Sequence, residues 1–300
     1  MLGTVRVCTM SAALLAILAG CATIRPDANA SLFAPLPAFA VGDSFTFDDG
    51  TTDRVVAVTG DEVHWQRSDG AEFVTSRDVL LPAASWRGGD RTVQRDVTPA
   101  EGLFPLRVGN EASFDVAQRE RALPDGAEAT TREAWRCSVP DAAWVHTGAG
   151  WFDTARVVCA ISDQTEGGSL ERVFYYAPDI GFYVRREERR ADKSSGTVQL
   201  VGYTLGEPPL SDDALSRRAA GLQQALQDPK GAPLSWADPN GDAEGVITPE
   251  GLVTSPDGQT CRAFGELIEA NARRYRLSGK ACSGPGAVWQ VVALTPARSG

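Results

Sequence analysis

Six cysteines, two histidines and one run of closely spaced carboxylates are the residues of this 300-residue chain whose types could do chemistry. Nucleophilic catalysis needs a base beside the nucleophile, and the histidines are the first candidates. His64 stands beside Trp65 in an alternating run, and His146 precedes Thr147-Gly148-Ala149-Gly150. Neither has a GxSxG elbow near it, so no Ser-His-Asp site is expected. Asp238, Asn240, Asp242 and Glu244 have metal-like spacing, yet a calcium loop wants glycine sixth and glutamate twelfth, where this chain has Ala243 and Pro249. An Asx-rich turn is the better reading. Gly148-Ala149-Gly150 is followed by no crossover helix and cannot be a dinucleotide loop. Alternating Arg and Glu from Arg185 to Arg190 neutralise one another and read as a solvated mixed-charge face. Neither an enzyme nor a cofactor is expected.

The cysteines carry more information. Leu18-Ala19-Gly20-Cys21 closes an apolar run that begins near Met10, and that run is far short of the roughly 20 residues needed to span a hydrocarbon layer. The four residues resemble the lipobox of exported bacterial lipoproteins. That resemblance implies a signal peptide over 1–20, lipidation of the Cys21 thiol and a mature chain beginning there. Acyl chains supply about 0.8 kcal/mol per buried methylene, so a multiply acylated cysteine holds a protein on a membrane durably. Ala22 after the cysteine, in place of Asp, points to the outer membrane. Cys8 leaves with the signal, so Cys137, Cys159, Cys261 and Cys282 remain. An even remainder in an exported chain favours disulfides. Of the three pairings, Cys137–Cys159 and Cys261–Cys282 keep each bridge inside one domain. The spacings are not CxxC and the histidines lie far from the cysteines, so no metal site is expected.

The bulk properties agree. A net charge of −10 without a concentrated basic patch argues against nucleic acid, and also against docking onto acidic headgroups, which leaves the lipid on Cys21 to make the membrane contact.

These residues need elements to hold them. Residues 21–40 are rich in Ala and Pro and read as a tether that could reach roughly 60 Å when extended. From Val41-Gly42-Asp43 the pattern turns to short alternating runs: Ser44 to Phe47, Arg54 to Val58, Val63 to Arg67 and Glu72 to Thr75, separated by Asp49-Gly50, Thr59-Gly60 and Asp69-Gly70. Turn dipeptides between β-branched and aromatic runs predict an antiparallel meander. Ser85 to Glu101 reads as a polar connection. Val108-Gly109 then echoes Val41-Gly42 and suggests an internal duplication. Strands are expected at Ala112 to Gln118, Thr130 to Val139, Ala142 to Val145, Thr154 to Ile161, Leu170 to Tyr176, Phe182 to Glu188 and Thr197 to Leu205. Gly150-Trp151-Phe152-Asp153-Thr154 with Tyr176-Ala177-Pro178-Asp179-Ile180-Gly181 resembles envelope β-domains with a strongly curved sheet. At Ser211 the period lengthens to nearly four. Ser211 reads as an N-cap, and Leu215, Ala219, Leu222 and Leu226 as one helical face up to Asp228-Pro229.

Beyond the helix come Trp236-Ala237-Asp238-Pro239-Asn240-Gly241, Gly245-Val246-Ile247-Thr248-Pro249, Cys261-Arg262-Ala263-Phe264, Gly279-Lys280-Ala281-Cys282 and Trp289-Gln290-Val291-Val292. Together with Leu226 these resemble the C-terminal domain of the rickettsial 17-kDa surface antigen family, small outer-membrane lipoproteins. The departure is that a strand-rich region stands where that family carries a glycine-zipper segment. Strands are expected at Gly245 to Thr248, Gly251 to Thr254, Thr260 to Leu267, Asn271 to Ser278 and Ala287 to Leu294, with a hairpin turn at Asp257-Gly258.

The expectation is therefore a mainly β protein. A large antiparallel curved-sheet domain occupies 41–206, a linking helix 211–228 and a small disulfide-stapled β domain 229–296. The role expected is that of a non-catalytic surface antigen of the cell envelope with envelope protein partners. The alternative is a binding module that holds a lipid, glycan or partner protein in the curved sheet.

Overall fold

The computed structural model describes residues 33–99, 102–124, 126–165, 168–192, 194–254, 259–284 and 288–296. Cys21, the signal peptide, the first part of the tether and the turn at Asp257-Gly258 lie outside the described residues.

Twelve strands form the large domain: β1 Ser44–Phe47, β2 Thr52–Thr59, β3 Glu62–Arg67, β4 Glu72–Ser76, β5 Ser85–Gly88, β6 Arg91–Thr98, β7 Glu111–Ala122, β8 Glu128–Thr147, β9 Gly150–Asp163, β10 Ser169–Ala177, β11 Phe182–Arg190 and β12 Ser195–Thr204. Each pairs antiparallel with the next, and β1 pairs with β12 through Ser44↔Thr204 and Phe45↔Tyr203, so the meander closes into a barrel. Closure removes both sheet edges, which an open curved sheet would leave unpaired. The turns fall where the Asp-Gly dipeptides place them, with Gly50 and Gly70 at φ 85° and 89°, a left-handed conformation that glycine adopts without a side-chain clash.

The polar stretch Ser85 to Glu101 was expected as a connection, but it supplies β5 and β6. Trp86 and Val93, directly opposed, turn inward, while Arg87 and Thr92, the neighbouring opposed pair, lie on the other face. Two expected strands, Thr130 to Val139 and Ala142 to Val145, are one, β8. A register shift between Ser138 and Asp141 accommodates Pro140, which cannot donate to a ladder. The echo of Val41-Gly42 in Val108-Gly109 is a shared local geometry. Gly42 donates to Val55 O and Val55 to Asp43 O; Gly109 donates to Val139 O and Val139 to Asn110 O.

The tether does not extend to residue 40. Ala34 is fully buried and exchanges two backbone hydrogen bonds with Leu106, Phe39 packs edge-on against Trp65 at 5.1 Å, and Arg77 Nε donates to Pro37 O at 2.8 Å. The apolar Phe39 has more to gain inside the barrel than in water, and the prolines that disfavour a strand do not prevent an extended plug.

The small domain is a helix on a sheet. The strands β13 Leu234–Ala237, β14 Ala243–Thr254, β15 Thr260–Ala270, β16 Arg273–Ser283 and β17 Trp289–Pro296 lie side by side in that order. Asn271 and Ala272, at φ 51° and 58°, make the two-residue turn between β15 and β16, so β16 begins at Arg273. The helix α1, Asp212–Gln227, is capped by Ser211, whose hydroxyl accepts from Ala214 N at 3.1 Å. It belongs to this domain and does not merely link two others. Its buried residues are Ala214, Gly221, Leu222, Ala225 and Leu226, while Leu215 and Ala219 face water. The face is rotated from the expected one because Arg218 takes a position toward the sheet, where Glu266 of β15 meets its guanidinium at 2.7 Å. Arg262 donates to Leu226 O and Asp228 O, satisfying carbonyls that the helix end leaves orphaned.

The disulfides join Cys137 to Cys159 across β8 and β9, and Cys261 to Cys282 across β15 and β16. Each pair stands directly opposite in register, so each bridge staples neighbouring strands of one domain.

Candidate functional site

Strand parity sorts the barrel into an inside and an outside, and the inside into two ends. Phe174 and Tyr176 of β10 are core residues, so Arg172, two residues earlier, also points inward. On β11 the partners of Phe174 and Arg172 are Arg186 and Glu188, which share that face. Arg67 of β3 follows Trp65 on the inner face, opposite Asp53 of β2. The stretch from Arg185 to Arg190, expected as one solvated face, is thus divided. Arg185, Glu187 and Arg189 lie outside with Glu171, and Arg186 and Glu188 lie inside. Other outward pairs are Arg119–Asp96 and Arg121–Glu128. A charged exterior is the reverse of a lipid-spanning barrel, whose outward side chains form an apolar band.

From the end nearest the small domain to its middle, the barrel is filled with aromatic side chains. Phe45 stacks on Phe182 at 4.1 Å, Phe47 on Tyr183 at 5.6 Å, and Phe104 meets Tyr176 edge-on at 5.2 Å. Asp78 is buried here beside the loop carrying Gly102, and burial pushes its carboxyl up to about 6 against the hydrogen bonds it accepts from Leu80 and Leu81. Where the domains meet, Arg273 of β16 reaches Asp43 at 2.8 Å, and Asp43 also accepts from Ala40 N and Gly206 N. The same guanidinium donates to Ala38 O and lies over the rings of Phe39 and Tyr275. This cluster fastens three segments of chain through Arg273 Nη1, while Nε and Nη2 are buried with no hydrogen-bond partner among the described residues.

The opposite end is different. A cavity of about 160 Å³ is lined on one side by Arg67, Arg172 and Arg186 with Asp53, and on the other by Trp65, Trp86 and Phe182 and the apolar stretch from Val79 to Ala83. Arg67 Nε donates to Asp53 at 2.9 Å and Arg172 Nε to Glu188 at 2.9 Å, while Arg186 Nε is 3.6 Å from Glu188. Each guanidinium also lies over a ring: Arg67 over Phe73 at 5.6 Å, Arg172 over Trp135 at 5.2 Å, Arg186 over Tyr183 at 5.8 Å. Burial holds Arg172 below its ordinary value, and the neighbouring charge of Arg186 adds to the effect against the pull of Glu188. Burial likewise raises the Asp53 carboxyl, even with Arg67 opposing, and raises the Tyr183 phenol despite all three arginines.

The residues singled out from the sequence do not converge. His64 sits on the outer face of β3, 3.8 Å from Glu62, and His146 lies against Trp151 near the tip of the β8–β9 hairpin. Asp238 is buried in an Asx turn, its carboxylate taking the Ser211 hydroxyl at 3.3 Å, while Asp242 and Glu244 are exposed. Among the described residues no cluster of His, Cys, Asp or Glu could hold a metal ion, and no helix is long and apolar enough to cross a membrane. Sequence reasoning missed the arginine layer. Its one signal is that Arg172 and Arg186 share the two-residue spacing of the inward aromatics, and that signal acquires meaning only once the barrel is closed.

No protein-family model matches the chain, and no curated protein matches it. Among solved structures, the hypothetical lipoprotein YmcC from Escherichia coli is similar at 12% identity over 56% of this chain and 84% of that chain, with a TM-score of 0.38. The resemblance of the C-terminal domain to the surface antigen family rests on its motifs alone.

Proposed function

We propose that this is a lipid-anchored protein of the bacterial envelope, held on the outer membrane by acylated Cys21, with a structural or partner-binding role and no catalysis. The observation that carries this reading is the pair of registered cross-strand disulfides, one in each domain, which suits an oxidising compartment beyond the inner membrane. The lipobox-like Leu18-Ala19-Gly20-Cys21 supplies the anchor, and the antigen-like motifs of the small domain fit the same setting. The cavity inside the barrel, about 160 Å³, is too small for a glycan or a lipid acyl chain, and the second reading, a binding module for such a ligand, rests on the larger hollows of about 660 Å³ beside His64, Phe73 and Trp86 and about 550 Å³ beside Phe33, Leu36 and Phe104.

The test is fractionation with intact-mass measurement. Wild-type protein is expected in the outer-membrane fraction with a mass beginning at Cys21 plus acyl chains and with no free thiols. Cys21→Ser should leave that fraction. An unprocessed wild-type chain in the cytosol with four reduced cysteines would sink the proposal.

A further inference from the structure

The arginine end of the barrel holds guanidinium donors that the described residues leave partly unused. Three guanidinium groups, on β3, β10 and β11, line the cavity wall, where Asp53 pairs with Arg67 and Glu188 is shared by Arg172 and Arg186. Only the Nε atoms of Arg67 and Arg172 are committed to carboxylates, and their terminal nitrogens make no hydrogen bonds among the described residues. Among the described residues Arg186 makes none, meeting Glu188 as a 3.6 Å ion pair. Each guanidinium is held in place by a ring beneath it, so the forks are positioned without being used up. The side chains remain partly open, at 30%, 23% and 33% exposure, in contrast to the 1% of Arg273. Opposite them the cavity is apolar, with Trp65, Trp86, Leu80, Leu81 and Pro82. The overall charge of −10 makes a cationic recess on this protein a local specialisation and not a by-product of composition.

We infer that this cavity binds a small organic anion, an oxyanion head of carboxylate or phosphate-monoester type carried on a compact apolar or aromatic body. The head would lie against the free guanidinium forks of Arg67, Arg172 and Arg186, whose planar donors match such oxyanions, and the body against the Trp65–Trp86 wall. The volume of about 160 Å³ limits the body to about the size of one ring. This goes beyond the proposed envelope role and does not depend on Cys21 or on export.

The experiment is a titration of the detergent-solubilised mature protein with benzoate, phenyl phosphate, inorganic phosphate and neutral benzamide at constant ionic strength. Intrinsic tryptophan fluorescence and the melting temperature are the readouts. Saturable binding of benzoate or phenyl phosphate with a raised melting temperature is expected, and whichever binds tighter identifies the head group. Benzamide, lacking the charge, and inorganic phosphate, lacking the apolar body, should each bind about tenfold or more weaker. Arg172→Gln and Arg186→Gln should each weaken the preferred anion by about tenfold or more, with Arg186→Lys partly retaining it. Saturable binding by neither organic anion would overturn the inference, as would benzamide binding as tightly as benzoate, or both Gln variants binding like wild type. The comparison among probes on wild-type protein stands even if one variant fails to fold.

Discussion

Arg273 and Arg172 are both arginines taken largely out of water, and their surroundings give the same side chain two different uses. Arg273 is sealed between the domains, paired with Asp43, hydrogen-bonded to Ala38 O and covered by Phe39 and Tyr275. Arg172 stands at the rim of a cavity with two like charges nearby, one carboxylate shared with Arg186, and its outer nitrogens uncommitted. A buried charge with one well-placed partner behaves as a fastener, because removing the partner strands the charge. A half-open cluster whose guanidinium forks are only partly used keeps its donors available to solvent or to a ligand.

The contrast yields measurable differences in stability. Arg273→Ala should cost about 3–5 kcal/mol, because Asp43 is then left buried without its cation. In chemical denaturation the variant should lose cooperativity between the domains. A cost below about 1 kcal/mol would mean that the seam is no fastener. Replacing both Cys261 and Cys282 by Ser opens a bridge of sequence separation 21 and should cost about 3 kcal/mol in the chain-entropy view, seen first as early melting of the small domain.

Asp78 tests the aromatic end by pH. Burial pushes its carboxyl up to about 6 in the folded protein, above the ordinary 3.8. Between those values the folded state holds a proton that the unfolded state has lost, so stability is greatest on the acid side and falls as pH rises from about 4 to about 6. At most about 3 kcal/mol is involved. Asp78→Asn should flatten that slope and raise the melting temperature at pH 7. An unchanged slope would place the titration elsewhere.

Arg172→Gln, the counterpart of Arg273→Ala, should cost only about 1 kcal/mol without ligand, since Glu188 keeps Arg186 and water. The exposed pair Arg274–Asp179 crosses the same seam as Arg273, and Arg274→Ala should cost about 0.5 kcal/mol or less, because solvent screens it. If the two seam arginines proved equal, burial would not be what distinguishes them.

Much of this was legible in the residues. The Asp-Gly turns, the alternating runs around Val63 to Arg67 and Leu170 to Tyr176, and the Ser211 cap concern neighbours in sequence, and local stereochemistry determines them. The misreadings have a common cause. Ser85 to Glu101 looked polar because only one side of β5 and β6 meets the core. Leu215 looked like a core position because size suggested burial, until Arg218 found Glu266. Ala34 and Phe39 looked like tether because the surfaces that receive them, Leu106 and Trp65, lie far along the chain.

By itself the amino-acid order determined the strand class, the turns, the helix cap and the division into a large and a small β-rich part, since each follows from backbone preferences and side-chain period over a few residues. Only the tertiary structure decided that β12 returns to β1, which residues of Arg185 to Arg190 face inward, and that Arg67, Arg172 and Arg186 share a cavity. Those outcomes depend on contacts between residues more than a hundred positions apart, and no local pattern encodes which distant surface a side chain will meet.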